Sequence, residues 1–404
     1  MGDTNQKVAD WLKNFGPAWI VMIADVDVAS IITGLQAGAA WGYRMIFVLI
    51  VLIFPLFIIQ DAAGRLGIAS GRGLGEQIRN NFGKKAAMAA AVPMGISDFL
   101  EYIAQYAGIA IGFSLIGFPV ILGLLIVFGI HTIIVFGRQY HQAEKVLIPV
   151  SFLLMIAIVS STFVFHVNFG ALISLGLSPI QPYNNPSFSY LLAASVGAVI
   201  MPWMLYFHSG ADSRRHKEVK ELKNERLETL IGAVVSEILM IILVVVGLNV
   251  FSGEHLINIS ELTKALPVFG RYALPIMGVG FIFAGFLALV VVSLGSAWGV
   301  LEATGKSTGS NSRRSFMAIY ALEAIPALII VAVVTGYIQL MLNMMFIFPI
   351  VLIPSLYFLG KLVSRKEVMN GNQYTRNERI AFWVAASIVI AGGLIGVLGA
   401  LPII

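Results

Sequence analysis

Residues 16–43 read GPAWIVMIADVDVASIITGLQAGAAWGY. A helix needs about 20 apolar residues to cross a bilayer, and this stretch supplies them. Yet two aspartates, Asp25 and Asp27, stand in its first half. A carboxylate in the hydrocarbon region costs several kcal/mol, about 2.5–3.5 on insertion scales. Such a group normally faces a cavity and handles an ion or a proton. The segment therefore marks a membrane span built around a polar site.

The composition agrees. Of 404 residues, 58% are apolar and 12% charged, against roughly 45–50% and about 25% in soluble domains. Mean hydropathy is +0.88. With no cysteine, disulfides, zinc–thiolate sites, iron–sulfur clusters and thiol catalysis are excluded. Residues 1–15 are polar and mixed in charge, so no removable signal peptide is expected. Apolar runs predict eleven membrane helices: 17–39, 43–67, 89–115, 119–137, 143–167, 188–209, 228–252, 271–299, 315–336, 338–362 and 377–401. With the N-terminus cytoplasmic, 23 of the 26 Lys and Arg fall in cytoplasmic loops; only Arg44, Lys264 and Arg271 do not. That asymmetry follows the positive-inside rule and puts the C-terminus outside. The net charge of +5 thus belongs to membrane topology, and no nucleic-acid partner is expected.

The segment 212–226, DSRRHKEVKELKNER, is expected to be a solvated linker. GKSTG at 305–309 lacks the glycine that a phosphate loop carries five residues before its Gly-Lys pair; Val300 stands there. No HExxH motif or nucleophile elbow is present, and the chain is not expected to be an enzyme. In the sixth span, Pro202 follows Met201 and precedes Trp203. A mid-helix proline removes a backbone hydrogen bond, and the freed carbonyls need another partner, such as an ion or water. A second break is expected near Asp27, Val28, Ala29 and Ser30. Broken helices in corresponding halves point to a binding site at the midplane.

Several stretches resemble the Nramp divalent-metal transporters. Gly16-Pro17-Ala18 through Gln36-Ala37-Gly38-Ala39 and Gly42-Tyr43 resemble their first helix. Leu66-Gly67-Ile68-Ala69-Ser70-Gly71, with Leu74 and Glu76, resembles the end of the second, and Ser97-Asp98-Phe99-Leu100-Glu101 the start of the third. Met201 through Ser209 resembles the sixth, and Phe348-Pro349 with Ile353-Pro354 the tenth. The resemblance implies an all-α integral membrane protein of LeuT-type fold, a single domain over 1–404. Repeat one covers about 17–167, an inverted repeat two about 188–362, and an extra helix about 377–401.

The resemblance also implies a site, and this chain departs from it. The family's Asp-Pro-Gly-Asn is here Asp27-Val28-Ala29-Ser30, and its Met-Pro-His is Met201-Pro202-Trp203. Phe286 and Met341 stand where the family often has glutamines. Asp27 and Met201 are the expected metal ligands, with Ser30, the Ala198 carbonyl and Trp203 completing the substrate site. Asp98, Glu101 and His208 are expected on a proton pathway. Lone His131 and His166 are expected to be core or interface residues. The implied function is secondary active transport in the cell membrane, with proton-coupled uptake of a divalent cation such as Mn²⁺ or Fe²⁺ and no resident cofactor. The alternative is uptake of a small organic solute, an amino acid or related carboxylate, which the aromatic Trp203 and Phe286 would line.

Overall fold

The computed structural model describes residues 16–137, 156, 159–160, 163, 167–215, 219–253, 257, 259–306, 308 and 312–400. The main helices are, in chain order, α1 (Pro17–Asp25), α2 (Val28–Trp41), α3 (Arg44–Ser70), α4 (Leu74–Leu115), α5 (Val120–Gly137), α6 (Pro186–Val199), α7 (Pro202–Arg214), α8 (Leu222–Phe251), α9 (Ala273–Thr304), α10 (Arg313–Val333), α11 (Tyr337–Val351), α12 (Ile353–Leu362) and α13 (Arg376–Ala400). No strand occurs among the described residues. The expected span 143–167, with Glu144 and His166, lies almost wholly outside them.

Among the described residues, eight helices or continuous helix pairs are long and apolar enough to cross a membrane, and α1 with α2, bent by 48°, makes a ninth. Helix α4 carries Asp98, Glu101 and Gln105 where it would cross, and it bends at Gly83. Local chemistry sets several ends. Asn185 accepts from the backbone N–H of Ser187 at 3.0 Å, and Pro186 opens α6, a position where proline loses nothing. Thr375 and Glu378 bond each other's backbone N–H to start α13, a capping box.

Burial is arranged around the broken helices. Every residue of α1 is buried, as is α2 from Val28 to Ala39, and α6 and α7 are buried along most of their length. The outer helices instead expose large apolar side chains, such as Ile133 on α5 and Leu322 on α10. Polar groups therefore collect in the middle and apolar ones face outward, the arrangement a lipid solvent favours.

The segment 212–226 departs from expectation. It is not solvated throughout, because α7 runs on to Arg214 and α8 begins at Leu222. Asp212 and Glu225 are buried, drawn inward by His208 (His208 Nε2 to Glu225 Oε1, 2.8 Å).

Candidate functional site

Helix α1 stops at Asp25 and α2 starts at Val28 with neither proline nor glycine between them. Capping supplies the break. Asp27 takes an extended backbone (φ −86°, ψ −173°), and its Oδ1 accepts from the Ser30 N–H at 2.8 Å. This satisfies one of the donors a helix start leaves open. The second break lies between α6 and α7, where Ile200 and Met201 are both extended and Pro202 is the first helical residue. Ser30 Oγ donates to the Ala198 carbonyl at 3.1 Å, so the two breaks are tied to each other. Gly108 on α4 allows this packing, since a Cβ there would lie 2.6 Å from Val28 Cγ1.

Around Asp27 the polar groups are fully buried. Gln105 Nε2 donates to Asp27 Oδ2 at 2.7 Å and to Glu101 Oε1 at 2.5 Å. One amide thus bridges two carboxyl groups. The Glu101 and Asp27 carboxyl groups also lie within hydrogen-bond reach of each other. Met201 is buried, and its sulfur accepts from the Trp203 indole N–H at 3.2 Å. Its own backbone N–H bonds the Met204 sulfur at 3.3 Å. The soft sulfur expected at the site is present but already holds a donor.

A family model described as natural resistance-associated macrophage protein-like, Nramp, matches residues 18–399. The chain belongs to the Nramp family. A divalent metal cation transporter, MntH, of Yersinia enterocolitica is 27% identical over 292 residues, covering 70% of this chain and 71% of that protein. Its namesake in Pectobacterium carotovorum is 28% identical over 300 residues, covering 72% of each. A crystal structure of the Eremococcus coleocola manganese transporter, in complex with an aromatic bis-isothiourea substituted compound, superposes with a TM-score of 0.79 at 17% identity. It covers 94% of this chain and 85% of that one. The fold is therefore LeuT-type, and the chain is a multi-pass membrane transporter, not an enzyme.

Within this Nramp frame the three residues expected on a proton route occupy different places. Glu101 is joined to Asp27 through Gln105. Asp98 lies close enough to Glu323 for their charges to interact, and Ser296 Oγ donates to Glu323 Oε1 at 2.6 Å. His208 sits seven residues past Met201, with Nδ1 3.0 Å from Gln60 Oε1 and Nε2 2.8 Å from Glu225 and 3.3 Å from Asp212. His131 is buried among Tyr106, Tyr320 and Ser293 (Nε2 to Ser293 Oγ, 2.8 Å). Glu302 pairs with Arg214 at 3.0 Å.

Three features escaped sequence reasoning. Gln105 is a neutral residue on a helix that offers no charge to notice, although its spacing of four from Glu101 puts both on one face. Asp212 stands four residues after His208 and so on the same helix face, inside a stretch whose dense charge reads as a solvated linker. Asp25, prominent in the sequence, has an unforeseen neighbour: Asp25 on α1 and Glu237 on α8 are both buried and close enough for their carboxyl groups to interact. Asp25 Oδ1 and both Glu237 oxygens lack hydrogen-bond partners among the described residues.

Proposed function

We propose that this chain is a secondary active transporter of the cell membrane that takes up a divalent metal cation, Mn²⁺ or Fe²⁺, with protons. The observation that carries this reading is the Ser30–Ala198 hydrogen bond of 3.1 Å, which closes two helix breaks on each other beside the buried Asp27. Membership of the Nramp family and the metal named for its relatives support it. Asp27 is the anionic ligand. Ser30 Oγ and the Ala198 carbonyl add oxygens, and a hydroxyl takes the place of an amide because it too offers lone pairs. Met201 adds a soft donor suited to late transition metals once the Trp203 N–H turns away from its sulfur. An arriving cation favours ionised Asp27, so a proton held by the Asp27–Glu101 pair passes directly to the Glu101 carboxyl, while Gln105 holds the two groups in place. Asp98 and Glu323 extend the acidic route along α4 and α10. His208 stands apart from it.

The domain is a single unit of two inverted five-helix repeats plus α13, with the N-terminus cytoplasmic and the C-terminus outside. Helix pairs α1–α2 and α6–α7 move against the remainder to alternate access. A second reading, uptake of an amino acid or related carboxylate, draws on the Trp203 N–H already occupying the Met201 sulfur.

Purified protein in liposomes, loaded with a pH-sensitive dye and given Mn²⁺ outside, tests the first reading. It predicts saturable Mn²⁺ entry with internal acidification, both absent in Asp27→Ala. Mn²⁺ entry that survives Asp27→Ala would disprove the site. No Mn²⁺ entry, alongside amino-acid uptake, would establish the second reading.

A further inference from the structure

We infer that His208, Asp212 and Glu225 form a second divalent-cation site, separate from Asp27 and suited to a first-row transition metal. His208 and Asp212 come from α7 and Glu225 from α8. His208 and Asp212 are fully buried, Glu225 is 3% exposed, and the three ligand atoms lie within 4.8 Å of one another. His208 is seven residues beyond Met201, the residue that caps α7, about 10 Å along the helix axis at 1.5 Å per residue.

Four observations converge on a metal. The first is spacing. Ligand atoms bonded to one ion at about 2.1 Å and at right angles are about 3.0 Å apart. Here Nε2 is 2.8 Å from Glu225 Oε1 and 3.3 Å from Asp212 Oδ2. The second is orientation. A metal-binding imidazole gives its other ring N–H to an oxygen, which fixes the ring and its tautomer. His208 Nδ1 lies 3.0 Å from Gln60 Oε1; a proton held on Nδ1 there lets Nε2, hydrogen-bonded to Glu225, turn its lone pair to an ion that displaces the Nε2 proton. The third is enclosure. Gly64 of α3 packs directly on the cluster, where a Cβ would clash with Nε2 at 2.7 Å and crowd Asp212 Oδ2 at 3.1 Å, so glycine lets α3 cover the three ligand groups. The fourth is donor chemistry. One imidazole nitrogen with two carboxylate oxygens suits Mn²⁺, Fe²⁺ or Zn²⁺, whereas Mg²⁺ and Ca²⁺ prefer oxygen alone. Two carboxylates also balance the ion's two charges, which a buried ion requires. Three protein ligands leave further coordination positions for water or a carbonyl.

The test uses the full-length Asp27→Ala protein, stripped of metal with a chelator and titrated with Mn²⁺. Electron paramagnetic resonance counts bound ions, and electron spin-echo modulation reads nitrogen coupling. The inference predicts one Mn²⁺ still bound in Asp27→Ala and coupled to one imidazole nitrogen. Adding His208→Gln should weaken that binding at least tenfold and remove the coupling. If His208→Gln does not stay folded and monodisperse, Glu225→Gln must give the same loss of affinity. The inference is wrong if Asp27→Ala binds no ion, as an imidazolium clamped between two carboxylates would give, or binds one without nitrogen coupling. A wild type that binds one ion, lost in Asp27→Ala, overturns only this inference. A wild type that binds none overturns the metal reading of both sites.

Discussion

At the residue scale, a few hydrogen bonds around the breaks do the work that Pro-Gly would otherwise do. Asp27 caps α2 through the Ser30 N–H, and Ser30 Oγ reaches the Ala198 carbonyl. A typical hydrogen bond contributes about 1 kcal/mol net. Ser30→Ala removes the bond between the breaks and one candidate ligand, so Mn²⁺ affinity should fall by about fivefold or more. An unchanged dissociation constant in a titration would show that the hydroxyl is not at the site. Trp203 acts oppositely. Its N–H occupies the Met201 sulfur at 3.2 Å, muting the softest donor. Trp203→Phe keeps an aromatic ring and frees the sulfur, so the preference for Cd²⁺ over Mn²⁺ should rise several-fold in competition binding. The ratio would stay constant if Met201 were only an apolar filler.

At the element scale, the broken first helix is held from two sides. Gly108 lets α4 approach the first turn of α2. Gly108→Leu would force side chain into that contact, and overpacking costs about 1–3 kcal/mol. The thermal midpoint in detergent should drop by several degrees; an unshifted midpoint would mean that the helices are not tightly apposed there. On the other side, Glu228 Oε1 of α8 accepts from the backbone N–H of Gly16 at 2.6 Å and of Trp19 at 3.0 Å. It holds the N-terminus of α1, where a negative charge also meets the helix dipole favourably. Glu228→Gln removes that charge and should let α1 swing out more often. The chain has no native cysteine, so a single cysteine at the buried Ala18 reports this directly. Labelling by a membrane-permeant thiol reagent should be several-fold faster with Glu228→Gln. Equal rates would show that Glu228 does not gate α1.

At the scale of the whole molecule, the sequence carried some features and hid others for physical reasons. Runs of about 20 apolar residues are a one-dimensional signal, so most expected spans fall on observed helices within a few residues. The first break is expected near Asp27–Ser30 with no Pro or Gly to enforce it, and the cap that makes it, Asp27 on the Ser30 N–H, shows only in the structure. Pro202 announced the second. The partnerships were not readable, because they depend on which helix faces come together. The family resemblance places Ser30 and Ala198 at one site, but not Gln105 bridging Asp27 to Glu101, nor Asp98 beside Glu323. Glu225 joins His208 and Asp212 only because α8 packs beside α7, which is why a charged stretch passed for a solvated linker. The clusters share one feature: near Asp27, Asp98 and His208, acids are buried in a mostly apolar body. That account stands or falls with Asp27. The most direct measurement is calorimetric titration of the purified wild-type protein and its Asp27→Ala variant with Mn²⁺. The account predicts saturable binding in the wild type, with the Asp27-dependent component abolished in the variant. Identical isotherms from two folded proteins would contradict it.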